Sequence, residues 1–378
     1  MEFNPSKFKC IVVKAGTNVL SSTDGTLDRQ AMERITSEIA ALLLQGTRVV
    51  LVTSGAVASG MAKLGLKNKP KEVSMQQACA AVGQSALMNE YEKLFSRHGT
   101  VTAQVLLTTD DFVIKERYLD MMQTLQELLR AKVVPIINEN DVVSHRELLK
   151  SEASQPVFSD NDELSALVAS KLRADLLILL TDVDGLYDKN PKNKGSSLIR
   201  KVEKITPELE LAAGKASGAG RGGMKSKLFA ARIATASGTW VAVANGKKAG
   251  IISSVLSQSE GTLFYPSASS LSGKEQWIAF ASKLSGSIEV NGCACGALLE
   301  KGASLLAIGV VSSTGKFSKG DIVEIMHGKK SIARGKVNYS SAELASIAGK
   351  KSEEIKKLLG RADEVIDREN LVIGENNG

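Results

Sequence analysis

Four short polar segments carry residue types that do chemistry. The richest is 215–227, Lys-Ala-Ser-Gly-Ala-Gly-Arg-Gly-Gly-Met-Lys-Ser-Lys. Gly218, Gly220, Gly222 and Gly223 let backbone N–H groups approach an anion closely, and a helix starting near Met224 adds its N-terminal dipole. Lys225 and Lys227 bring positive charge. That combination is suited to nucleotide phosphate. The spacing matches neither G-x-x-x-x-G-K-[ST] nor a G-x-G-x-x-G directly after a strand, and four glycines alone favour a plain surface loop.

The second segment is Ser159-Asp160-Asn161-Asp162, two carboxylates flanking an amide just before a helix. Capping that helix is the common use of such residues. Orienting lysines, a metal or a substrate amino group is the chemical one. The third, Asn138-Glu139-Asn140-Asp141, follows the apolar run Val133-Val134-Pro135-Ile136-Ile137, where a turn is the simplest account. The fourth is Lys14, in the polar turn Lys14-Ala15-Gly16-Thr17-Asn18, where a solvated lysine is the plainer reading. His98, His145 and His327 are scattered and form no constellation with Ser or Cys, so triad chemistry carries little weight.

The elements that would position these residues alternate. Residues 9–13, 48–52, 101–107, 133–138, 176–180 and 240–243 read as strands; 28–45, 72–97, 115–130, 162–172 and 224–237 read as helices. This order predicts an α/β fold with a mostly parallel sheet sandwiched by helices. Ligands of such sheets bind at the carboxyl ends of the strands. Lys14, Ser54, Asn138 to Asp141, and Thr181-Asp182 each come just after a strand and should converge on one rim. Residues 266–274 read as a linker, and beyond them short strands at 286–291, 305–311, 320–326 and 331–337 and helices at 341–349 and 352–359 suggest a separate small β-rich domain.

With 378 residues and 43% hydrophobic content the chain can bury a sizeable core in two domains. No apolar stretch approaches a membrane span, and the polar start lacks a secretory pattern, so a cytoplasmic protein is expected. Cys10 and Cys79 sit in apolar runs as buried thiols; Cys293-x-Cys295 has no second ligand pair at zinc spacing and reads as two residues on one face of a strand or turn. The net charge is +7. Residues 275–378 hold 14 basic and 13 acidic residues, so nearly all the excess lies before them and fits an anionic small substrate at least as well as nucleic acid. Aromatic residues, at 4%, offer no obvious base-stacking platform.

The motifs also occur in a telling order. Lys14-x-Gly16-Thr17, Thr53-Ser54-Gly55-Ala56, Ala80-Ala81-Val82-Gly83-Gln84, Asn138-Glu139-Asn140-Asp141, Asp160-Asn161-Asp162, Thr181-Asp182-x-x-Gly185-Leu186-Tyr187 and Gly222-Gly223-Met224-x-Ser226-Lys227 together resemble the glutamate 5-kinases of the amino acid kinase family. Gly302-x-Ser304-Leu305-Leu306, Gly315-x-Phe317-x-x-Gly320-Asp321 and Asn338-Tyr339-Ser340-Ser341 resemble the PUA domain that many of the bacterial ones carry. The resemblance covers nearly the whole chain. It implies a kinase domain over 1–265, a PUA domain over 275–378, and ATP-dependent phosphorylation of the L-glutamate γ-carboxylate, with Mg²⁺, at the start of proline biosynthesis. It further implies proline as a feedback inhibitor and a homodimer or homotetramer.

Site roles carry over by the same resemblance. Lys14 and Lys227 would stabilise the transferring phosphoryl group and Asp162 would hold them. Ser54, Asp141 and Asn161 would bind glutamate, the acidic residue pairing with its α-ammonium. Lys14, Thr181, Asp182, Arg221, Gly222, Gly223, Met224, Lys225, Ser226 and Lys227 would bind the nucleotide. Ser159 and Val157 depart from the family pattern, where a glycine and often a basic residue stand, and Arg221 and Ser226 replace common threonines. Other family members, acting on aspartate, acetylglutamate or a nucleoside monophosphate, lack support from the tail and from 138–141. An RNA-binding protein acting through the PUA domain is the reading from another class, and the tail's near-zero net charge weakens it. A degenerate kinase serving as a sensor is a third.

Overall fold

The run Cys-Ile-Val-Val-Lys-Ala is buried at every position, which a strand covered on both faces requires. In the computed structural model it forms β1 (Cys10–Ala15), inside an eight-stranded sheet. The structure describes residues 2–22, 26–108, 110–143, 160–191, 193, 195–206, 208–210, 223–267, 275, 278–279, 284–328 and 330–373. These fall into two compact units, one running to 267 and one from 275 onward.

The sheet of the first unit adds β2 (Arg48–Val52), β3 (Thr102–Leu107), β4 (Val134–Glu139), β5 (Leu176–Thr181), β6 (Lys201–Val202), β7 (Trp240–Asn245) and β8 (Thr262–Phe264), in the spatial order β3-β4-β2-β1-β5-β7-β8-β6. The six strands from β3 to β7 are mutually parallel; β8 turns antiparallel to β7 and pairs in parallel with β6. Two residue pairs, Leu186–Tyr187 and Leu198–Ile199, make a small ribbon of their own.

Parallel strands need helical crossovers. Those described are α1 (Arg29–Leu44), α2 (Ala56–Lys63), α3 (Val73–Ser96), α4 (Lys115–Arg130), α5 (Asn161–Leu172), α6 (Met224–Thr235) and α7 (Ile251–Leu256). Alternate strand residues divide between two faces. Ile11, Val13, Ala15, Leu51, Ile178 and Leu180 join a core with Met32 and Ile35 of α1, Leu87 and Tyr91 of α3, and Ile251 of α7. Val12, Val50, Leu177 and Leu179 are equally buried from the other side, where α5 packs on β1 and α6 on α5. The α/β sandwich expected from the sequence is therefore present.

Several boundaries move, for physical reasons. Lys14 is not in a turn: it pairs with Val52 and Leu179 inside β1. Asn138 and Glu139 likewise belong to β4, opposite Leu106 and Leu107 of β3, so the segment read as a turn is half strand. The linker read at 266–274 lies outside the described residues from 268 onward.

The second unit holds a five-stranded sheet of β9 (Leu284–Val290), β10 (Val310–Gly315), β11 (Ile322–His327), β12 (Lys330–Lys336) and β13 (Leu371–Ile373), in the order β10-β9-β11-β12-β13. Its helices are α8 (Gly292–Lys301), α9 (Ser341–Ile347) and α10 (Ser352–Leu359). The strand read at 305–311 is instead a 3₁₀ turn, Ala307–Gly309, leading into β10. Cys293 and Cys295 sit on α8, not on a strand or turn, because Asn291 caps that helix by accepting from Ala294 N. Two residues apart on a helix they point to different sides. Both are free thiols.

Candidate active site

The chain leaves β1 toward β2 on one side and leaves β5 toward β7 on the other. Where neighbouring strands send their connections apart, their carboxyl ends open a crevice. Here the crevice is a cleft of about 300 Å³ whose lining includes Lys14, Ser54, Asp141, Asp162, Thr181 and Lys227. The helices α2, α5 and α6 all begin beside it, so their N-terminal dipoles add to its pull on anions.

Lys14 faces the side of β1 that α5 covers, opposite Val13 and Ala15. Its Nζ lies 2.6 Å from Asp162 Oδ1. Lys227, on the first turn of α6, places Nζ 3.0 Å from the other oxygen, Oδ2. Asp162 is fully buried and each lysine is 6% exposed. Burial alone would raise the Asp162 pKa, but the charges and hydrogen bonds of Lys14 and Lys227 outweigh it and hold the carboxyl below its ordinary value. The triad therefore carries a net positive charge in a nearly dry setting. Gly16 keeps the approach open: a Cβ there would stand 3.2 Å from Lys14 Nζ and 3.3 Å from Leu180 O.

Asp160 does what its residue type most often does and more. Its Oδ1 caps α5, accepting from Asp162 N at 2.9 Å and Glu163 N at 3.1 Å. Its Oδ2 accepts a short hydrogen bond from Ser226 Oγ, which also reaches Asp162 Oδ2 at 3.3 Å. Burial, and then the neighbouring Asp162 charge, raise the Asp160 pKa. Ser226 thus ties the start of α6 to the start of α5.

The opposite wall is polar and equally organised. Asn161 Nδ2 donates to Thr53 O at 2.9 Å and to Ser54 Oγ and Asn138 Oδ1, each at 3.0 Å. Asn138 Nδ2 in turn donates to Gln84 Oε1 at 3.0 Å. Asn161 Oδ1 is buried with no protein partner among the described residues, in a residue that lines the cleft. The Thr53–Ala56 corner depends on glycine: Gly55 has φ +104°, the left-handed region. Behind it, a Cβ on Gly60 would fall 1.8 Å from Cys79 O and one on Gly83 1.8 Å from Ala56 O, so α2 and α3 touch backbone to backbone. That contact explains the Ala80–Gln84 motif, which touches the wall without lining the cleft.

At the end of β5, Thr181 Oγ1 donates to Asp182 Oδ1 at 3.2 Å, and Asn18 Nδ2 donates to Asp182 Oδ2 at 3.0 Å. Of the residues expected at the site, the structure brings Lys14, Ser54, Asp141, Asn161, Asp162, Thr181, Asp182 and Lys227 to one cleft, with Ser226 joined through the aspartates. Gly223 is the N-cap of α6 and Met224 its first residue. Lys225 is exposed and does not line the cleft. Arg221, Gly222, Val157 and Ser159 lie outside the described residues. Sequence reasoning missed Asn18, the Asp160–Ser226 bond and Lys69, which also lines the cleft. Asn18 stood in the recognised turn after Gly16; Lys69, in a lysine-rich stretch without periodicity, gave no signal.

Residues 9–245 match the amino acid kinase family and residues 286–359 match the PUA domain. Glutamate 5-kinase of Thermoanaerobacter sp. (strain X514) is 46% identical over 371 residues, 97% of this chain and 98% of that protein. Glutamate 5-kinase of Moorella thermoacetica is 44% identical over 374 residues, 97% of each. Among solved structures, a carbamate kinase from Giardia lamblia bound to AMP-PNP superposes with a TM-score of 0.50 at 20% identity, covering 69% of this chain and all of the other, a likeness of fold. No helix among the described residues is long and apolar enough to cross a membrane.

Proposed function

From the premise that this chain belongs to the amino acid kinase family, we propose that it phosphorylates the γ-carboxylate of L-glutamate, with ATP as donor, to give γ-glutamyl phosphate and ADP. Relatives that match 97% of the chain are named glutamate 5-kinase. Proline biosynthesis is the use that follows. The kinase domain would occupy 1–265 and the PUA domain 275–378.

The observation that carries the reading is the Lys14–Asp162–Lys227 ion triad at the switch point of the sheet. Phosphoryl transfer demands positioning and charge neutralisation more than covalent help. In our reading Lys14 and Lys227 contact the phosphoryl group in flight, and Asp162 keeps their ammonium groups aimed. Ser54, Asn161 and Asp141 hold glutamate, with Asp141 and the unpaired Asn161 Oδ1 receiving the α-ammonium. Thr181, Asp182 and the segment from Arg221 to Lys227 hold the nucleotide.

Among the described residues no cluster of three or more His, Cys, Asp or Glu is built to cage a metal. Mg²⁺ typically sits on substrate phosphates with one or two carboxylates and several waters, and Asp160 and Asp182, which both line the cleft, are the carboxylates that would hold such an ion. When bound it would offset phosphate charge. Proline inhibition and assembly into a dimer or tetramer belong to the same proposal.

The deciding experiment is ADP release from ATP with and without L-glutamate, repeated with proline and with the Lys227→Ala variant. Absence of glutamate-dependent turnover in the intact chain would sink the reading; RNA affinity of the chain across a salt series tests the alternative role of the PUA domain.

A further inference from the structure

Among the described residues, the cations that line the cleft are Lys14, Lys69 and Lys227. Two of them are committed: Lys14 and Lys227 both sit on Asp162, at the end where phosphoryl transfer would occur. Glutamate carries a second carboxylate on the carbon that bears its ammonium group. Lys69 makes no hydrogen bond or ion pair within the described residues, and it shares the lining with Ser54, Met61 and Asp141.

Its loop is also held in place. Lys69 precedes Pro70, which confines its backbone to extended conformations. Pro70 O accepts from Gln76 Nε2 at 2.8 Å, and Gln76 is itself buried on α3. The loop joins α2 to α3, whose relative position the glycine contacts fix. The backbone that carries Lys69 is thereby positioned, while its exposed side chain stays free until a partner arrives.

We propose that Lys69 is a specificity-determining residue that pairs with the α-carboxylate of the substrate while Asp141 pairs with the α-ammonium. This rests on the glutamate reading above. The two opposite charges in one cleft match a zwitterionic carbon. An amine without the carboxylate forfeits the Lys69 contact, and a dicarboxylate without the amine forfeits the Asp141 contact. Selection for an α-amino acid over a simple dicarboxylic acid follows from that pair.

The test is steady-state kinetics of the full chain, with Lys69→Met and Lys69→Arg beside the parent. Losing one charge-assisted contact should raise KM for L-glutamate about tenfold in Lys69→Met. The turnover number and KM for ATP should hold, and Lys69→Arg should restore most of the affinity. Inhibition by 4-aminobutyrate, glutamate without its α-carboxylate, should be equal in parent and Lys69→Met. An unchanged glutamate KM overturns the inference, as does a loss toward 4-aminobutyrate that matches the loss toward glutamate, the mark of a merely structural role. A parent chain with no glutamate-dependent ADP release overturns the glutamate reading itself, and this inference with it, before any variant is compared.

Discussion

Lys14 and Lys227, one from the first strand of the sheet and one from a helix more than 200 residues later, rest on the two oxygens of a single buried carboxylate at 2.6 and 3.0 Å. Each lysine alone in such a setting would be costly to bury. Sharing Asp162 gives both lysines a counter-charge and leaves the triad with one excess positive charge beside the cleft. The fold therefore stores, before any ligand binds, the field that a migrating phosphoryl group needs.

Lys227→Met should remove that field with little damage to the fold. Asp162 would still pair with Lys14 and accept from Ser226. Loss of one preorganised donor typically costs about 10²–10³ in turnover. Glutamate-dependent ADP release, read beside an unfolding curve, checks it. A turnover number within a few-fold of the parent would remove Lys227 from the chemistry.

Asp162→Asn should behave differently, because it strands two buried cations. Breaking a buried pair by deleting one partner costs about 3–5 kcal/mol. The pH dependence follows from the lowered pKa. A carboxyl depressed by folding contributes stability above its ordinary value of 3.8 and loses it as pH falls toward the folded value. Denaturant titrations from pH 3 to 7 should show the gap between parent and Asp162→Asn wide at pH 7 and narrowing in acid. A gap independent of pH would mean that the ion triad is not its source.

Much of this was legible from residue order, and the limits were physical. Strands such as Leu176–Thr181 announce themselves because a strand covered on both faces must be apolar throughout. The same logic hid Lys14. A lysine inside a buried strand looks like the end of that strand until its counter-charge, Asp162, is known to lie on the helix that covers the same face. Asp160 and Asp162 were visible as a pair, but capping explains the first and not the second, and periodicity does not separate them. The α2–α3 contact was invisible because a glycine packed on a backbone oxygen has the same sequence appearance as a glycine in solvent. Helix α8 was missed since Gly-Cys-Ala-Cys-Gly is a poor helix former that its Asn291 cap rescues.

Asp160→Asn should stabilise the protein at neutral pH. Folding raises the Asp160 pKa, first through burial and then through Asp162, so the folded state binds a proton more tightly than the unfolded one. Stability from this group is present below the ordinary value of 3.8 and is lost as pH rises through the folded value. An asparagine keeps the helix cap, and the Ser226 hydroxyl can turn to accept from the new amide. Melting temperatures of parent and variant should be closest near pH 4 and diverge in the variant's favour toward pH 8. The reverse trend would contradict the assigned direction.

Gly83→Ala tests whether the α2–α3 contact sets the substrate wall. The added methyl would fall 1.8 Å from Ala56 O, a backbone atom that no side-chain rotation relieves. Overpacking of this kind costs about 1–3 kcal/mol, and here the strain must push α2 away from α3. Since α2 begins at Ala56, directly after Ser54 and Gly55, the displacement reaches the residues around Asn161. Thr181 and Asp182 hang from β5 and are spared. The expected result is a lowered unfolding free energy together with a raised KM for glutamate and an unchanged KM for ATP. Equal rises in both Michaelis constants would show that the contact supports the cleft as a whole and not its glutamate wall.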